Sequence, residues 1–279
     1  MYRKNLFISL LIIAVALFTL MLPFLLSDRA AITYFPDNPR IRFTKSDTHL
    51  SIMTDEQLLH LSVQSQTIET NQLIQNFSLL YRNNRLIAIL NHWQRNTNQL
   101  ISARDARIRS GFYNALTVHQ AELHINSDIY GKERLSQDYL IVSASGRHAF
   151  RHPKTPDEAN QLSSHTRQID LERKQLLGRA AAHYHFSPDH YRIVSLDMLT
   201  DESKTRIFPF FNEKTVERIV GQLWEGLYKN FIRGIQLTEG QSESPLGSTV
   251  PLLLIADDHM LVIIESSDHH LIMLKQNFT

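Results

Sequence analysis

The chain has 279 residues, with 29 basic against 28 acidic side chains, 14 histidines and no cysteine. That length supports one large domain or two small ones, and a near-neutral balance offers no field to hold nucleic acid. The missing thiols exclude disulfide staples and thiolate metal sites, and suit a bacterial protein exported across a membrane.

Leu6 to Leu26 is an unbroken run of uncharged, mostly apolar residues behind Arg3 and Lys4. As a helix at about 1.5 Å per residue it matches the hydrocarbon thickness of a bilayer. The run is longer than the apolar stretch of a cleavable signal. Asp28 and Arg29 also stand where cleavage wants small residues, so an uncleaved anchor is expected. The expected layout is a cytoplasmic tail over 1–5, a transmembrane anchor over 6–26, and a stalk over 27–48 containing Pro36 and Pro39. The lipid bilayer is then one partner, with the N-terminus cytoplasmic and the bulk of the chain extracytoplasmic.

Thr54 with Gln57 three residues on makes a capping box, and Leu58, Leu59 and Leu61 follow, which predicts a first helix. Phe77, Leu79 and Tyr81 alternate up to Asn83-Asn84, and Leu86, Ile87 and Ile89 run out beyond, which predicts a hairpin. A short helix is expected over 98–114. Ala121, Leu123 and Ile125 share one face of a strand over 117–126, and a return strand over 139–145 follows a polar turn at Gly131-Lys132. The basic, proline-bearing stretch 146–156 divides a first α+β subdomain, 49–150, from a second, 151–279.

Thr155, Pro156 and Glu158 supply an N-cap, a first-turn proline and a capping-box acid. They open a helix toward Tyr184 with Leu162, Ile169, Leu176, Leu177 and Ala180 inward. A strand over 191–196 follows. Glu213 to Arg233 is the best amphipathic pattern: Val216, Ile219, Val220, Leu223, Leu227, Tyr228 and Phe231 recur at helical spacing before Gly234. Three apolar segments, 250–256, 260–265 and 271–275, predict an antiparallel meander. The whole reads as an α+β fold: one N-terminal transmembrane helix, then an extracytoplasmic domain of antiparallel sheet with packed helices.

His183, His185 and His190, beside Asp189, are candidate metal ligands. His259, His269 and His270, with Asp257, Asp258 and Asp268, form a second cluster. Imidazole and carboxylate suit a divalent cation, the one cofactor the sequence suggests. Helix-end and turn histidines are the plainer account of both clusters. There is no Gly-x-Ser-x-Gly elbow, HExxH pair or phosphate-binding glycine loop, so no enzyme class is indicated. The aromatic knot before the amphipathic helix offers Phe208, Phe210 and Phe211, with Trp224 on the helix, as an interaction patch. Core packing is the competing account. The leading role is an anchored interaction or regulatory module of the bacterial cell envelope, acting through contacts with a membrane or envelope protein. An envelope hydrolase using a histidine cluster, and a ligand- or pH-sensing domain relaying through the anchor, are the alternatives.

Overall fold

The computed structural model describes residues 32–53, 55–144, 148–238 and 241–278. The tail, the anchor and the first residues of the expected stalk lie outside that range, as does Thr54. Among the described residues no helix is long and apolar enough to cross a membrane. Residues 32–279 form one compact unit. Its architecture is a mostly-β α+β fold of antiparallel sheets and a few helices.

The first sheet contains β1 (Phe43–Met53), β2 (Leu58–Arg82), β3 (Arg85–Arg107), β4 (Gly111–Ile125), β5 (Asp128–Val142) and β6 (Ala149–Phe150). β2 is its spine, 25 residues long. β3 follows one edge of β2, while β1 pairs with its first half and β4 with its second half along the other. Between Gln66 and Asn71 the β2–β3 register breaks. There the buried Asn71 amide donates to Thr67 Oγ1 (2.8 Å) and to the Glu69 carbonyl (2.9 Å), and Asn96 on β3 takes a φ of 51°. The sheet doubles over at this bend into a curled half-barrel. Leu59, Leu61 and Val63 of one half share a core with Leu80, Tyr113 and Ala115 of the other.

Two expected helices are therefore strand. Leu58, Leu59 and Leu61 fit a helix by spacing, but Leu59, Leu61, Val63 and Ser65 continue with period two and are all fully buried in β2. The stretch 98–114 is the end of β3 and the start of β4. The expected hairpin turn holds: Asn83 and Asn84 both adopt left-handed φ, 47° and 63°. The turn between β4 and β5 falls at Asn126 (φ 56°), leaving Gly131 inside β5 rather than at a corner.

The capping box opening α1 (Pro156–Tyr184) is present: Glu158 N–H donates to Thr155 Oγ1, and the Glu158 carboxylate accepts from Thr155 N–H. The chain continues through β7 (Arg192–Ser195), the short α2 (Lys204–Ile207), α3 (Glu213–Leu227), a π-helical segment over Tyr228–Ile232, and a ribbon of β8 (Ile235–Thr238) and β9 (Gln241–Glu243). The meander is as expected: β10 (Leu252–Ile255), β11 (His259–Glu265) and β12 (Leu271–Asn277), with β7 added beside β10. Leu176 and Ala180 of α1 pack on Leu252, Leu254, Leu261 and Ile263 of this second sheet. α3 lies against the first sheet, where Phe77 meets the rings of Trp224 and Tyr228 edge-on at 6.3 and 5.7 Å. It also touches the second, since Gln276 donates to the Ile219 carbonyl (2.9 Å).

Residues 32–48 are not a stalk. Ile32 and Ile41 are buried, 0% and 3% exposed, and β1 begins at Phe43. The two prolines prevent a regular element, but the apolar residues around them still find the core.

Candidate functional site

Residues 32–42 form a strap across the first sheet and α3. The Tyr34 N–H donates to the Glu225 carboxylate (3.1 Å), and the Gly131 N–H donates to the Pro36 carbonyl (3.0 Å). Gly131 permits this approach, because a Cβ there would sit 3.1 Å from that of Phe35. Gly221 does the same on α3: a Cβ would stand 2.4 Å from the Tyr34 ring and 3.0 Å from the Glu133 carboxylate.

Strap, β5, α2 and the start of α3 enclose a pocket of about 380 Å³, within the usual range for small-molecule sites. Tyr34, Phe35, Leu135 and Val220 give it apolar walls. Its floor is a lattice of charges. Glu217 lies within 4.0 Å of Lys132, Arg134 and Lys204. Lys132 also pairs with Asp37 (2.8 Å), and Lys204 with Asp201 (2.9 Å), whose carboxylate accepts from the Leu135 N–H. Every one of these acids has a basic partner.

Glu133 stands apart. Burial is the main cause that pushes its carboxyl up to about 8; Lys204 opposes the shift, and Glu225, Glu217 and Asp201 add to it. The group is therefore protonated at neutral pH and offers a donor as well as an acceptor. Burial, then Glu133, also raises the Tyr34 phenol. Among the described residues lining the pocket there is no Ser, His or Cys, so it presents no nucleophile–base pair of the Ser–His or Cys–His kind.

The three expected metal ligands sit on different local elements. His183 is on the last turn of α1, its ring edge-on to Tyr184. His185 is the left-handed cap that ends α1 (φ 57°), and His190 closes a 3-10 turn. Among the described residues no group of three or more His, Asp or Glu side chains is arranged to hold a metal ion. In the second cluster each histidine has its own acid: His259 meets Asp258 (2.6 Å), His269 meets Glu265 (3.0 Å) and His270 meets Glu243 (2.6 Å). The aromatic patch also divides. Phe208 and Trp224 are buried, Phe211 is half-buried and Phe210 is exposed.

Sequence patterns missed the pocket because its parts lie far apart in the chain, at 34–37, 131–135, 201–204 and 212–220. The one local signal is Lys132-Glu133-Arg134, three consecutive charges inside a strand that must turn some of them inward. A buried polar chain in the half-barrel was missed for the same reason. His119 bridges Ser65 and Ser136, both at 2.7 Å, and Ser65 donates to Asn76 (2.5 Å). Burial drives the His119 pKa down to about 3, so the ring is neutral and serves as a hydrogen-bond bridge. No protein-family model, curated protein or solved structure matches this chain.

Proposed function

We propose that this chain is a membrane-anchored, extracytoplasmic regulatory module of the bacterial cell envelope that senses a small molecule in the charged pocket. The bilayer holds it through residues 6–26, and a membrane or envelope protein receives its signal. One arrangement carries the reading: Tyr34, Phe35, Pro36 and Asp37 wall the pocket, and the same segment follows closely on the apolar run in sequence. A ligand touching the strap has differential contact with its docked and released states, which is what a relay requires. The pocket's apolar walls and protonated Glu133 suit a small polar molecule with an apolar body.

The test is a thermal-shift screen of small organic acids, amines and amphiphiles against the full-length chain in lipid nanodiscs. A compound that stabilises the chain, loses that effect in Lys132→Met, and slows backbone exchange over 32–42 is the expected result. Stabilising compounds that leave exchange over 32–42 unchanged would refute the relay. A panel with no stabilising member would count against the pocket itself.

A further inference from the structure

A second concavity, about 680 Å³, lies between the 189–192 segment, the 207–211 loop and the β10–β11 turn. Tyr191, Ile207, Phe208, Phe211 and Ile255 give it apolar walls. Phe208 and Phe211 are both pinned edge-on to Phe278, with ring centroids 6.1 and 5.3 Å apart, and the Phe211 N–H donates to the Phe208 carbonyl. That tight turn strands Phe210 at the rim. At 83% exposure it is the most exposed large apolar side chain among the described residues. Such an exposed aromatic beside a ready groove is a typical interface anchor.

The rim is acidic. Asp189, Asp257 and Asp258 border the groove, and the His259 ring holds the Asp258 carboxyl below its ordinary range. The lining cation, Arg192, turns its guanidinium to the carbonyls of Arg206 (2.7 Å) and Ile207 (3.1 Å). We propose that this groove docks a cationic segment of a partner protein, an apolar anchor residue flanked by Lys or Arg. Charge selects this occupant over two others. A second copy in two-fold contact would set the three aspartates against themselves. An anionic bilayer surface would meet the same repulsion. The proposal is independent of the sensing pocket, which shares none of these residues.

The experiment uses the full-length chain in zwitterionic nanodiscs and two fluorescein-labelled peptides. One carries a Leu-Phe anchor between Lys-Arg pairs; in the other, Glu replaces every Lys and Arg. Anisotropy should show saturable binding of the basic peptide alone. Phe210→Ala should weaken it about tenfold or more, and Asp257→Asn with Asp258→Asn should weaken it and flatten its salt dependence. Ile101→Ala, at an exposed apolar site elsewhere, should leave it unchanged. Equal binding of both peptides, no binding of either, or a basic-peptide affinity insensitive to Phe210→Ala overturns the proposal. Self-association or binding to anionic vesicles that Phe210→Ala abolishes would overturn it too, by assigning the groove to another occupant.

Discussion

Glu133 is the least comfortable charge in the pocket, and its protonation makes a signed prediction. Its folded pKa, about 8, lies above the unfolded value near 4.5, so the folded state binds the extra proton between them. Stability contributed by the protonated form is complete below the unfolded value and is lost as pH rises toward 8. Glu133→Gln keeps a donor and an acceptor without the charge. It should gain on the wild type between pH 5 and 9, by on the order of 4 kcal/mol, and level off above that. Urea midpoints across that range test it, and parallel curves would mean the carboxyl ionises normally. His119 has the opposite sign. Its folded pKa, about 3, lies below the unfolded value near 6.5, so the unfolded state takes the proton first as pH falls. His119→Gln should remove one proton's worth of acid sensitivity, so the wild type loses on the variant by about 3 kcal/mol between pH 7 and 4. A constant difference over that interval would contradict a neutral buried ring.

At the scale of elements, what could be read in advance was what local chemistry decides. The Asn83-Asn84 hairpin was legible because strand alternation and a left-handed turn agree at the same place. The start of α1 was legible because a capping box is a three-residue device. Thr155→Ala should therefore cost about 1 kcal/mol, read as a lowered urea midpoint with unchanged slope. The first half of β2 was not legible, since Leu58, Leu59 and Leu61 satisfy a helix as well as a strand until long-range pairing with β1 and β3 decides. β3 hid itself differently. Asn91 to Asn98 are mostly exposed because this stretch lies at the edge of the sheet, so neither face had to be apolar. The aromatic knot was legible as a feature but not as a surface. Which of its rings faces water is set by Phe278, far away in sequence.

For the molecule as a whole, the decisive difference between a tethered domain and a responsive one is the strap. A solvated stalk would transmit nothing, since its residues would have no stake in the fold behind them. Here Ile32 is fully buried, the Thr33 carbonyl accepts from Gln120 Nε2 (2.5 Å), Tyr34 bonds to α3 and Pro36 to β5. Residues 32–36 are thus fastened to β4, β5 and α3, the last two of which line the pocket. Removing the Ile32 side chain should open a cavity at that junction. Ile32→Ala is expected to destabilise the full-length chain by about 2–4 kcal/mol, as buried isoleucine truncations do. It should also speed amide exchange at Gly131, whose N–H is held by the strap. Leu246→Ala, a partly exposed apolar site, should stay within about 0.5 kcal/mol. Urea denaturation with exchange mass spectrometry measures both variants together. If Ile32→Ala behaves like Leu246→Ala, the strap is only a stalk in contact with the domain. If it carries the larger loss and the faster exchange, the strap is an integral part of the fold and of the pocket wall.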